Sequence, residues 1–115
     1  MINGVHAVVF SPAADKVRAF FADVLGMESV DAGGGWLIFA LPPAELAVHP
    51  ADGETRHELY LMCDDIHATV EELRARGVEL GGPVAEERWG LVTSIRLPGD
   101  VELGLYEPRH PTPPR

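Results

Sequence analysis

A short strand-like run opened by a histidine and followed by a helical stretch occurs twice in this chain. His6 stands in GVHAVVF and His57 opens HELYLMC, 51 positions later; Gly26 and Gly77, also 51 apart, each close the helical stretch that follows. Near the end of each copy, AELAVH (44–49) and VELGLY (101–106) set a glutamate in an otherwise apolar alternation. Those two residues, Glu45 and Glu102, are 57 positions apart, so the second copy carries six extra residues. A unit of one helix and a few strands cannot bury both its helix and its sheet alone. Two copies sharing one core are the economical solution, and 115 residues suffice for one such domain.

Each copy reads β-α-β-β-β. In the first, 4–10 is a strand, Ser11 suits a helix N-cap and Pro12 the first helical position. Val17, Phe20, Phe21, Val24 and Leu25 then form one helical stripe, stopped by Gly26. MESVDA (27–32), WLIFAL (36–41) and AELAVHP (44–50) are strands, with a GGG turn at 33–35. In the second, 57–63 is a strand and 64–76 a helix with Ile66, Val70 and Leu73 on one face, stopped by Gly77. A short strand at 78–81 follows, then strands over 91–98 and 101–108 around Pro98-Gly99-Asp100. The fold class is therefore α+β: two βαβββ modules in tandem, about 4–50 and 55–108, forming a curved mixed sheet with a concave cleft. They make a single domain over 1–108, and the proline-rich residues 109–115 form an extended, frayed tail.

Charge narrows the partners. Asp and Glu number 18 against 9 Lys and Arg, a net charge of -9. Such a surface repels phosphate backbones and anionic lipids, so nucleic acid and membranes are not expected partners, whereas a cationic small ligand is compatible. No apolar run reaches membrane-spanning length, and MINGVHAVVF lacks the features of a signal peptide, which predicts a cytoplasmic protein. Cys63 is the one cysteine, which rules out an internal disulfide. Asp64 and Asp65 suit helix capping.

The repeat also supplies the candidate chemistry. Alternation sets Glu45 opposite Leu46 and Val48, and Glu102 opposite Leu103 and Leu105, so both carboxylates leave the core face. Taken singly, each histidine or glutamate belongs more often to a surface than to a site. The recurrence of His with His and Glu with Glu shifts that balance, because a pseudo-two-fold arrangement would bring His6, Glu45, His57 and Glu102 toward one axis. Two nitrogens and two oxygens suit a divalent metal ion such as Zn, Ni, Mn or Fe, with positions left for water or substrate. Trp36, Phe39, Trp89 and Tyr106 are candidates to line a substrate cleft, against the ordinary alternative that they fill the core.

The repeated units, with GVHAVVFSPAADKVRAFFADVLGM, HELYLMCDDIHATVEELRARGVEL and PGDVELGLYEP, resemble the vicinal oxygen chelate superfamily over residues 4–108. That superfamily includes glyoxalase I, bleomycin-resistance proteins, fosfomycin-resistance enzymes and extradiol dioxygenases. The resemblance implies a metal-dependent, glyoxalase-like lyase or isomerase, or a dioxygenase, acting on a small oxygen-bearing substrate. His6, Glu45, His57 and Glu102 would hold the ion as a Lewis acid, and Glu45 or Glu102 would move a proton. It leaves open a metal-free protein that sequesters a small molecule or antibiotic, as bleomycin-resistance proteins do. It further implies a homodimer, in keeping with short strands that leave open edges.

Overall fold

The computed structural model describes residues 6–45, 47, 53 and 56–111. Its spine is an antiparallel pair, β5 (Gly90–Leu97) and β6 (Val101–Pro108), joined by the Pro98–Asp100 turn. Gly99 and Asp100 adopt φ 85° and 60° there. Glycine takes that region freely and aspartate tolerates it, which explains the sharp reversal at this point. β3 (Tyr60–Met62) pairs in parallel with β6, and β4 (Ala85–Glu87) antiparallel with β5, for a strand order β3-β6-β5-β4.

Alternation decides which face of this sheet is the core. Leu103 and Leu105 of β6, with Leu91, Ile95 and Leu97 of β5, are all buried, while Glu102, Gly104 and Tyr106 take the other face. Two helices cover the apolar side. α2 (Ile66–Ala75) supplies Ile66, Val70 and Leu73, whose spacing makes one stripe, and α1 (Ala14–Ala19) supplies Val17. The start of α2 is capped twice. Asp65 accepts from the Ala68 N–H at 3.1 Å, and Glu107 of β6 accepts from the Ile66 N–H at 3.0 Å. α1 runs on into a π-helical turn, Phe20–Val24, and the Arg76 guanidinium donates to the Val24 carbonyl at 2.7 Å, tying the two helix ends together. Gly26 and Gly77 follow their helices at φ 68° and 80°, the left-handed region where glycine ends a helix. In the first half, β1 (Ser29–Asp31) and β2 (Leu37–Phe39) form a hairpin. The Asp31 carboxylate accepts from Gly33 N–H at 2.7 Å inside its turn.

The strand pattern departs from expectation in several places. Of the strand read over 4–10, the described part, 6–10, pairs with no strand among the described residues, and Phe10 is 86% exposed. β-branched composition yields a strand only where a neighbour accepts its backbone. Ala44, Glu45 and Ala47 belong to no strand, and Leu46 and 48–50 lie outside the described residues. The strand at 78–81 shrinks to one bridge, Leu80 to Ile95. Ser11 is not the cap of α1. Its hydroxyl donates to Pro98 O at 2.8 Å and accepts from Ala13 N–H at 3.1 Å, anchoring the segment to the β5–β6 turn while Ala13 takes the cap position. β4 was not expected, because Ala85, Glu86 and Glu87 are all exposed and carry no apolar alternation. Among the described residues, the second half therefore builds a four-stranded sheet and the first half a two-stranded one.

Candidate functional site

Gly104 organises the outer face of the sheet. It stands in register with Tyr60 on β3 and Ser94 on β5, and a Cβ at this position would overlap the Tyr60 ring. The missing side chain thus seats that ring flat on the strand. Tyr60 meets Tyr106 at 5.6 Å between centroids and Trp89 at 6.4 Å, and Trp89 meets Tyr106 at 5.7 Å, all near edge-to-face. Rings in this geometry set the positive edge of one against the negative face of the next. Tyr60 and Trp89 remain more than a third exposed, so the cluster opens to solvent.

Carboxylates flank it. The Tyr106 hydroxyl donates to Glu45 Oε2 at 3.3 Å, and the Tyr60 hydroxyl to Glu58 Oε1 at 3.1 Å. Arg56 lies 3.4 Å from Glu58 and offsets its charge. Glu45 is different. Its Oε2 lies 3.5 Å from His110 Nε2, and its Oε1 is buried with no hydrogen-bond partner among the described residues. A mostly buried carboxylate with a spare oxygen, at the edge of an aromatic cluster, favours a cation.

Burial raises the phenol pKa of Tyr106 above its ordinary value near 10, and the charge of Glu45 pushes it the same way. Tyr60 is raised by burial and then by Glu58. The folded chain therefore keeps these protons at a pH where the unfolded chain has lost them. The associated stability is complete below about pH 10 and is lost as pH rises through the folded values. In a phenolate absorbance titration both tyrosines should ionise late. Glu45→Gln should bring Tyr106 part of the way back, since burial persists; an unchanged titration would refute the coupling.

The residues named from the sequence do not share one place. His6 and His57 are exposed, and Glu102 faces Arg96 directly across the ladder, Oε1 to Nη2 at 3.7 Å. Glu45 is engaged instead with Tyr106, four residues along β6 from Glu102, about 13 Å at strand spacing. Among the described residues, no three His, Cys, Asp or Glu side chains gather as a metal ligand set. The donor chemistry suits a divalent ion, but the placement does not fit one, and the Arg96 guanidinium already stands beside Glu102. Of the four aromatic candidates, Trp89 and Tyr106 are in the cluster. Trp36 instead lies under the Arg18 guanidinium at 5.1 Å, and Phe39 packs on Phe21 at 5.6 Å. Both line a separate cavity of about 250 Å³ with His6 and Leu103, beside α1. Tyr60, Glu58 and His110 escaped the sequence reading. The one signal for Tyr60 was a glycine on a neighbouring strand, and His110 had none.

The chain is thus an α+β fold whose mixed sheet carries an aromatic, acidic outer face. Residues 5–109 match the Glyoxalase/Bleomycin resistance protein/Dioxygenase superfamily, and the chain belongs to it. Among solved structures it is similar to TnmS3, an antibiotic binding protein from Streptomyces sp. CB03234. That pair is 26% identical over 93% of this chain and 97% of the other, with a TM-score of 0.66. A superfamily member from Sphaerobacter thermophilus DSM 20745 is 23% identical over 92% and 98%, TM-score 0.66. A lactoylglutathione lyase from Agrobacterium tumefaciens shares the fold at 14% identity over 91% and 92%, TM-score 0.65. No curated protein matches the sequence. No helix among the described residues is long and apolar enough to cross a membrane.

Proposed function

We propose that this protein binds a small aromatic cation, without a metal, at the Tyr60–Trp89–Tyr106 cluster. The observation that carries the reading is Glu45, whose Oε1 is buried without a hydrogen-bond partner among the described residues while its Oε2 holds the hydroxyl of Tyr106, one ring of the cluster. A flat ligand would stack against Trp89 and Tyr60 and direct its positive charge to Glu45. The stacking contributes area and cation–π attraction, and the carboxylate supplies selection for charge. The net charge of -9 supports a cationic ligand, and the likeness to an antibiotic binding protein supports a small-molecule one. Metal-dependent catalysis through His6, Glu45, His57 and Glu102 is the competing reading. The unpartnered Glu45 oxygen supports it too, but it requires the four side chains to converge.

Calorimetric titration with aminoacridine, a planar aromatic cation, and acridine, its neutral counterpart, separates the two near neutral pH. The cation should bind about tenfold or more tightly than the neutral ring, as a charge-assisted contact of roughly 1.5–3 kcal/mol requires. EDTA should leave that binding unchanged, and Glu45→Gln should remove the preference. Equal binding of the two rings, or no binding of either, sinks the proposal. Binding lost in EDTA transfers the case to the metal-dependent reading.

A further inference from the structure

The end of the chain holds the proposed cation's place. β6 finishes at Pro108, and the next residue is clamped to the β4–β5 hairpin: Arg109 N–H donates to the Trp89 carbonyl at 2.8 Å, and its guanidinium pairs with Glu86 at 2.8 Å. This anchor delivers His110 onto Tyr106, ring centroids 6.0 Å apart at 34°. The imidazole Nε2 lies 3.3 Å from the Tyr106 hydroxyl and 3.5 Å from Glu45 Oε2. Its Nδ1 lies 2.9 Å from the Pro111 carbonyl, an acceptor only, so Nδ1 carries a hydrogen, and Nε2 attracts Glu45 only in the charged ring, where it carries one as well. Proline after His110 restricts that residue to extended backbone, which keeps the ring presented rather than folded away.

His110, when its ring is charged, therefore offers Glu45 what the ligand would offer: a flat cationic ring beside Tyr106, tilted to it, with a nitrogen toward the carboxylate. We infer that His110 is a specificity-determining residue, an internal stand-in that an incoming aromatic cation must displace from Glu45 and Tyr106. This rests on the ligand class proposed above; the resting contact does not. A competing internal group lowers apparent affinity in proportion to the time it occupies the site. It also filters ligands. A neutral ring can stack on Tyr106 but cannot replace the nitrogen at Glu45, whereas a ring that carries charge replaces both contacts. The clamp at Arg109 keeps the displaced imidazole nearby, ready to return when the ligand leaves.

The test uses the full chain, its His110→Ala variant and aminoacridine. In the ligand-free protein, proton NMR should show the His110 ring signals displaced by the Tyr106 ring current. They should move to unstructured positions as the probe saturates. His110→Ala should bind aminoacridine about threefold to tenfold more tightly, the scale of one hydrogen-bonded contact removed from competition. Probe binding that leaves the His110 signals unmoved, or a variant that binds no more tightly than the native chain, overturns the inference while the ligand class stands. Absence of aminoacridine binding to both chains overturns the ligand class, and the displacement with it, even where the resting ring-current shift is seen.

Discussion

Gly104→Ala is expected to weaken aminoacridine binding about tenfold while changing the unfolding free energy by no more than about 1 kcal/mol. The position lies within β6, where its backbone suits any residue, so the new methyl group strains nothing along the strand. The methyl instead overlaps the Tyr60 ring, which must swing out toward solvent. That ring is 37% exposed, so its departure gives up only the part of its area that the sheet and the neighbouring rings cover. Stability gained by replacing a strand glycine offsets much of the rest. Binding has no such compensation, because the wall that Tyr60 makes with Trp89 and Tyr106 is gone. Tyr60→Ala should lose the same amount, and the double variant no more than either alone, since all remove one wall. Additive losses would mean that Gly104 acts through something other than Tyr60.

The same residues show how far the sequence could be read. Features set by local periodicity were legible. The helical stripe of Ile66, Val70 and Leu73, the stops at Gly26 and Gly77, and the alternation that buries Leu103 and Leu105 all follow from spacing along one segment. Glu45 and Glu102 looked equivalent because their local patterns match, yet they meet different neighbours. Arg96 reaches Glu102 through the β5–β6 register, and His110 reaches Glu45 from beyond the end of β6. Neither partner is encoded near the glutamate it contacts. Tyr60 sits in a segment correctly read as a strand, but its place in the cluster depends on the parallel register with β6. A parallel pairing is set by the whole fold rather than by a turn. β4 had no signal at all, being three exposed residues that pair only because β5 runs beside them. Trp89, Tyr106 and Glu45 were thus found as individual residues, and their assembly into one cluster was not.

Ile95→Ala is expected to cost about 3–4 kcal/mol, within the range for deleting a large buried aliphatic group. Ile95 is 0% exposed at the centre of β5, opposite Leu103 and beneath the stripe of α2, and Leu80 bridges to it from the loop before β4. Neighbours on a two-stranded spine cannot collapse into the vacated space without breaking the β5–β6 ladder, so most of the cavity should persist. For a domain whose total stability is on the order of 5–15 kcal/mol, that is a large fraction. Urea unfolding should show a lower midpoint with an unchanged slope, because the surface exposed on unfolding hardly differs. Ile95→Val removes one methylene and should cost about 1 kcal/mol. The side chain points away from Tyr60, Trp89 and Tyr106, so the fraction that remains folded should bind aminoacridine as the native chain does. The two substitutions then separate the faces of one strand pair: Gly104→Ala removes binding and spares the fold, and Ile95→Ala does the reverse. A cost below about 1 kcal/mol for Ile95→Ala would place the core elsewhere than on the β5–β6 face.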